Sequence, residues 1–172
     1  TLSMMAKAKR IEELSAAYRQ GCSIDLTDLI RRELGLDISA RYGPFTLKNP
    51  FLVAPGQLTV NIGQIAKIKE AGFAGCVLKS FVGEDPSGAC SMGFQRARST
   101  YIRTVYDADD TDGSRPIIHW DGRMDTRTLA DYLPFARAAF EMSDDRFLVV
   151  CSFLCHLPGP DEAFREDEWA HT

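Results

Sequence analysis

The stretch "GCVLKS" (75–80) decides how the chain is read. Gly75, Cys76, Val77 and Leu78 form an apolar run of the kind that a strand buried on both faces carries. Lys79 and Ser80 then follow. An ammonium is among the groups least often found in a core, because losing its water costs several kcal/mol unless something compensates. A buried strand that finishes on a lysine therefore asks for a reason.

The flanking sequence supplies the context. Upstream, "FLVAPG" (51–56) reads as an apolar strand breaking at Pro55-Gly56, and "NIGQIAKIKEAG" (61–72) has helical spacing with Gly72 closing it. With "FAGCVLKS" (73–80) they make strand, helix, strand, and such a crossover sets the two strands parallel. A third apolar strand of this type is "RFLVVCSF" (146–153). Before it, "DTRTLADYLPFARAAFEM" (125–142) predicts a helix with Leu129, Tyr132, Leu133, Ala136 and Phe140 on one face, kinked or restarted at Pro134.

Residues 1–36 read as a helical extension: one helix over 3–20 stopping at Gly21, and a second over 25–35 with Asp25 or Thr27 as N-cap and Gly35 past its end. Residues 37–172 read as the main domain, opening with a hairpin turn at Tyr42-Gly43-Pro44-Phe45. Between the second and third strands lie a glycine-rich loop (83–93), a strand (100–107), an acidic turn (108–116) and a returning strand (117–120), a β excursion. "REDEWAHT" (165–172) places acidic residues where a helix N-terminus favours them. Three parallel strands do not close a sheet, so the expectation is the N-terminal part of a larger structure.

Composition narrows the function classes. A net charge of −4 provides no general field for nucleic acid or an anionic membrane. The local exception, "FQRARSTYIR" (94–103), reads as a solvated strand and loop or a phosphate contact. Five cysteines (Cys22, Cys76, Cys90, Cys151, Cys155) lack a disulfide-like spacing, and three histidines are too few for a second cluster of zinc ligands. No apolar span is long enough for a bilayer, so a cytoplasmic protein with no membrane partner is expected.

The segment "LKNPFLVAPGQLTVNIGQIAKIKEAGFAGCVLKS" (47–80) resembles the first βαβ unit of dihydroorotate dehydrogenase-like flavoproteins: a hairpin, Asn-Pro, a strand ending Ala-x-Gly, a helix, and a strand ending in lysine and serine or threonine. "FLVVCSF" followed by "DEWAHT" extends the similarity over roughly residues 38–172. The resemblance implies a (β/α)8 TIM barrel, α/β in class, with chemistry at the C-terminal ends of the strands. It implies FMN as cofactor, contacted by the backbone of Ala54, Pro55 and Gly56 and by Lys79, Ser80 and Ser152. Lys79 becomes the catalytic residue, a fixed cation facing the negative charge that a reduced flavin acquires.

Where dihydroorotate enzymes read Asn-x-Met-Gly-x-x-Asn, this chain has "HWDGRMD" (119–125). His119, Asp121 and Arg123, with Arg96 nearby in sequence, become the candidate contacts for a small cyclic, dihydropyrimidine-like substrate. The family's general base and phosphate grip are expected beyond Thr172, so the remainder of the barrel, or a homo-oligomer, would complete the protein. Two other readings stay open: a Schiff-base, aldolase-type lysine on the same barrel, and a non-catalytic half-barrel assembly subunit.

Overall fold

A computed structural model describes residues 3–20, 25–97, 101–106, 116–122 and 124–172. They fall into two compact units, Thr1–Leu78 with Ala138–Val150, and Lys79–Arg137 with Cys151–Thr172. The expectations at Gly21, Cys22, Arg98, Arg123 and the 108–115 turn lie outside the described residues.

In the first unit, α1 (Met4–Arg19) is capped by Ser3, whose hydroxyl accepts from Ala6 N–H. Asp25 caps α2 (Leu26–Leu34) by accepting from the N–H groups of Thr27 and Asp28, two of the donors a helix start leaves unpaired. Gly35, in the left-handed region at φ 65°, ends it. The hairpin β1 (Ala40–Tyr42) and β2 (Phe45–Leu47) turns through Gly43, also left-handed at φ 57°. Next come β3 (Leu52–Val53), a 3-10 turn (Gln57–Thr59) and α3 (Ile62–Glu70), whose cap Asn61 accepts from Gln64 N–H. β4 (Gly75–Val77) follows.

β3, β4 and β8 (Leu148–Val150) form a parallel sheet in the order β3-β4-β8, as the βαβ reading expects. Ile65 and Ile68 of α3 are buried together with Cys76 and Val149. Burial pushes the Cys76 thiol up to about 11, so it behaves as a small core residue and not as a nucleophile. Asn49 is the polar bolt of this unit. Its amide donates to Thr27 Oγ1 and to the Gly72 carbonyl, both at 2.9 Å, while its oxygen accepts from Phe51 N–H.

The second unit is less regular. Its short parallel pair is β5 (Phe81–Val82) with β9 (Phe153–Leu154). It also contains α4 (Gly93–Ala97), the antiparallel ribbon β6 (Tyr101–Tyr106) with β7 (Pro116–Asp121), most of α5 (Leu129–Phe140) and α6 (Glu166–His171). Thr128 caps α5, its hydroxyl accepting from Asp131 N–H and donating to the Asp131 carboxylate.

Two expectations about α5 need correction. It runs through Pro134 without interruption, and its buried positions are Leu129, Tyr132, Ala136 and Ala139, whereas Leu133 and Phe140 are 51% and 45% exposed. The stripe therefore runs through Tyr132, Ala136 and Ala139, at i+3, i+7 and i+10 from Leu129. The strands are corrected too. The ladder expected to run from 73 to 80 stops at Val77 and a second begins at Phe81, and the one expected over 146–153 divides at Cys151-Ser152. Gly75 partners Leu148 and Phe81 partners Phe153, six steps against five. The interval 78–80 thus holds one residue more than its counterpart. Among the described residues the strands close no barrel.

Candidate functional site

The interruption in pairing holds three of the nominated residues, Lys79, Ser80 and Ser152. Ladder bonding lapses after Leu78, and Phe81 N–H resumes it at Ser152 O, 2.9 Å away. The carbonyls of Lys79 and Ser80 must therefore find other donors, since a buried carbonyl left unpaired costs about 1–3 kcal/mol. Tyr132 O–H donates to Lys79 O at 3.4 Å, and Asp125 N–H donates to Ser80 O at 2.8 Å. Lys79 is 7% exposed. It is buried as the sequence indicates, but at a gap in strand pairing and not at a strand's end.

Ser80 and Ser152 are brought together, their hydroxyl oxygens 2.8 Å apart. One of their two O–H donors is used in that mutual bond, so the pair keeps a second donor and spare lone pairs. Behind them the Tyr132 ring packs against Phe81 at 4.9 Å and Phe135 at 5.7 Å. Burial, and then its neighbour Cys151, push the Tyr132 hydroxyl well above the ordinary tyrosine value. Cys151 is itself raised by burial, partly offset by its hydrogen bond with Tyr132. Both groups stay protonated near neutrality, and the Tyr132 hydroxyl serves as a donor.

Below this seam sits a buried charge cluster. Glu84 is 4% exposed. Its Oε1 accepts from Leu129 N–H at 2.7 Å at the start of α5, and its Oε2 lies 2.6 Å from Arg96 Nη1. That second contact is an ion pair by distance without hydrogen-bond alignment, and Arg96 Nε is buried with no hydrogen-bond partner. The guanidinium also donates to Val82 O and stacks 4.8 Å over the Phe81 ring. Arg96 thus makes several contacts that hold this part of the fold. Asp125, also buried, accepts from Arg127 Nη1 at 2.7 Å and Arg127 N–H at 3.0 Å.

The remaining nominated residues lie elsewhere. In the first unit, Ala54 and Pro55 are exposed and Gly56 is half-buried. Buried Thr59 holds that turn, its hydroxyl bonding both Gly56 N–H and Gly56 O at 3.2 Å. A Cβ added at Gly56 would meet nothing nearer than Ala54 O at 3.8 Å, so the face of the turn is open within its unit. His119 is exposed on β7 opposite Arg103 in register, and Asp121 ends that strand opposite Tyr101.

Tyr132, Asp125 and Glu84 were not nominated as site residues by sequence reasoning, and Arg96 was named only as a candidate substrate contact. A tyrosine on the apolar face of a helix was the available signal, since a buried phenol needs a partner for its hydroxyl. Glu84 and Arg96 sit in stretches that read as loop or solvated strand, and Asp125 opens the stretch that reads as a helix.

Among the described residues no group of three or more His, Cys, Asp and Glu side chains could hold a metal ion, and no helix is long and apolar enough to cross a membrane. The six residues nominated for FMN carry no carboxylate. Within the second unit, an ammonium and two hydroxyls are a donor set that fits a group gaining negative charge. No protein-family model matches the chain, and no curated protein matches it either.

Proposed function

We propose that the chain is part of an FMN-dependent oxidoreductase of the dihydroorotate dehydrogenase-like kind, its parallel strands being the first of a (β/α)8 barrel. The observation that carries the reading is the burial of Lys79 at 7% exposure beside the Ser80–Ser152 pair. FMN, when bound, supplies the two-electron acceptor for hydride from a small cyclic, dihydropyrimidine-like substrate. The chain's own part is to hold a cation in a largely dehydrated setting, where charge acts far more strongly than in water. Ser80 and Ser152 add a hydroxyl donor.

Equilibrium dialysis against FMN of the chain completed by the further strands its proposed barrel requires tests this, with Lys79→Met alongside. Saturable binding is expected, and the flavin potential should fall by about 30–60 mV in the variant as the fixed cation is lost. Flavin retained no better than in a protein-free control, with FMN in excess, would refute the proposal. The burial of Lys79 also supports a second reading, a Schiff-base lysine that would take a carbonyl substrate. Borohydride trapping of a carbonyl compound on Lys79, without flavin binding, would favour that enzyme instead.

A further inference from the structure

The segment from Cys155 to Arg165, "CHLPGPDEAFR", is folded around one carboxylate. Glu162 Oε2 lies 2.9 Å from His156 Nε2 and accepts from Gly159 N–H at 3.4 Å, while Glu162 Oε1 accepts from Arg165 Nη2 at 3.2 Å. The segment is also tied to α6, because Trp169 Nε1–H donates to the His156 carbonyl at 3.0 Å and Phe164 lies against the Trp169 ring at 5.7 Å. His156, and then Arg165, hold the Glu162 carboxyl below the usual carboxylate range.

The surroundings are strongly acidic. Glu162 lines a groove of about 450 Å³ with Asp85 from the loop after β5 and with Glu166, Asp167 and Glu168 of α6. Asp161 adjoins it in sequence, and His171 at the end of α6 acts electrostatically on Asp85. Five carboxylates thus face Arg165 and whatever charge the two histidines carry.

We propose that residues 155–165 are a pH-released strap, fastened to α6 while His156 is protonated and loosened when that proton leaves. With the imidazolium present, the His156–Glu162 contact is a charge-assisted bond and offsets part of the acidic excess. When His156 is neutral, at most an ordinary hydrogen bond remains, and the carboxylates repel across the groove. This inference is independent of the flavin reading.

Hydrogen exchange on the full chain, corrected for intrinsic rate, tests it at about pH 6 and about pH 8, the range in which histidine charge changes. Exchange in peptides covering 156–165 is expected to rise about two- to five-fold between the two, the modest scale of a partly exposed ion pair. His156→Gln, which keeps a neutral donor, should show fast exchange at both values. His156→Lys, charged at both, should stay protected, and Glu162→Gln should be fast throughout. An unchanged wild-type rate, a step that survives in His156→Gln, or full protection in Glu162→Gln would each overturn the strap.

Discussion

The two units differ in what holds them. In the first, regular structure carries the load: helices closed by adjacent caps, a three-stranded parallel sheet, and a core of Leu29, Ile65, Cys76 and Val149. In the second, parallel pairing is two residues long, the longer β6–β7 ribbon being antiparallel, and long-range side-chain bonds hold the rest. Glu84 reaches Leu129 N–H, the Glu168 carboxylate accepts from both Ser91 N–H and Ser91 O–H, and Thr172 Oγ1 bonds Glu84 N–H and Glu84 O. Apolar burial tolerates modest change because it is spread over many contacts. A buried carboxylate with named partners does not, since removing it leaves a charge and several donors dehydrated.

The largest expected effect follows from that contrast. Glu84→Ala strands the Arg96 guanidinium and uncaps α5, and should destabilise the second unit by about 4 kcal/mol. Peptide-resolved hydrogen exchange would read this as early opening of 81–97 and 124–137 while 62–78 stays protected. Uniform opening of both units would erase the distinction. Next in size is Gly75→Ala. The added Cβ would run into the Leu148 carbonyl oxygen and Leu52 Cδ2, so β4 and β8 must spread, at a cost of about 2–3 kcal/mol. Its urea midpoint should drop with the loss confined to the first unit, the mirror image of the first experiment.

The smallest expected effect is a pH dependence of the first unit. Burial works against the Asp25 charge, yet the N–H groups of Asp28 and Thr27, together with Lys48, hold its carboxyl below the ordinary value. Asp144 is lowered by Lys69, 2.7 Å away, and by Arg146 N–H. A folded-state pKa below the unfolded one adds stability that is complete above about pH 4 and is lost as pH falls through the folded value. Acid should therefore lower the first unit's urea midpoint, and Asp25→Asn should flatten that decline. An Asp25→Asn profile that tracks wild type would remove Asp25 from this account.

How much was legible follows the same division. The βαβ unit, the hairpin through Gly43, the Asp25 cap and the Gly35 stop were readable because each is written within a few consecutive residues. The burial of Lys79 was readable from the apolar run before it. The gap in pairing around it was not, because "GCVLKSFV" looks continuous and a lapse in register depends on the strand opposite. Glu84 and Arg96 sat in apparent loop. Nothing local distinguishes a solvated glutamate from one whose partner lies 45 positions away at Leu129. The five-residue α4 was hidden by its glycine-rich surroundings. On α5, hydrophobicity pointed to Leu133 and Phe140 when packing had chosen Ala136 and Ala139.

The Asn49 amide has a bearing on how this protein can be cut. Its two N–H groups are divided between Thr27 on α2 and the carbonyl that follows α3. The helical leader and the first crossover thus share a fastener, and pruning the first 36 residues would leave a dry donor inside the trimmed product. Any shortened version meant for crystallisation or display should keep α2, or replace Asn49 in the same step.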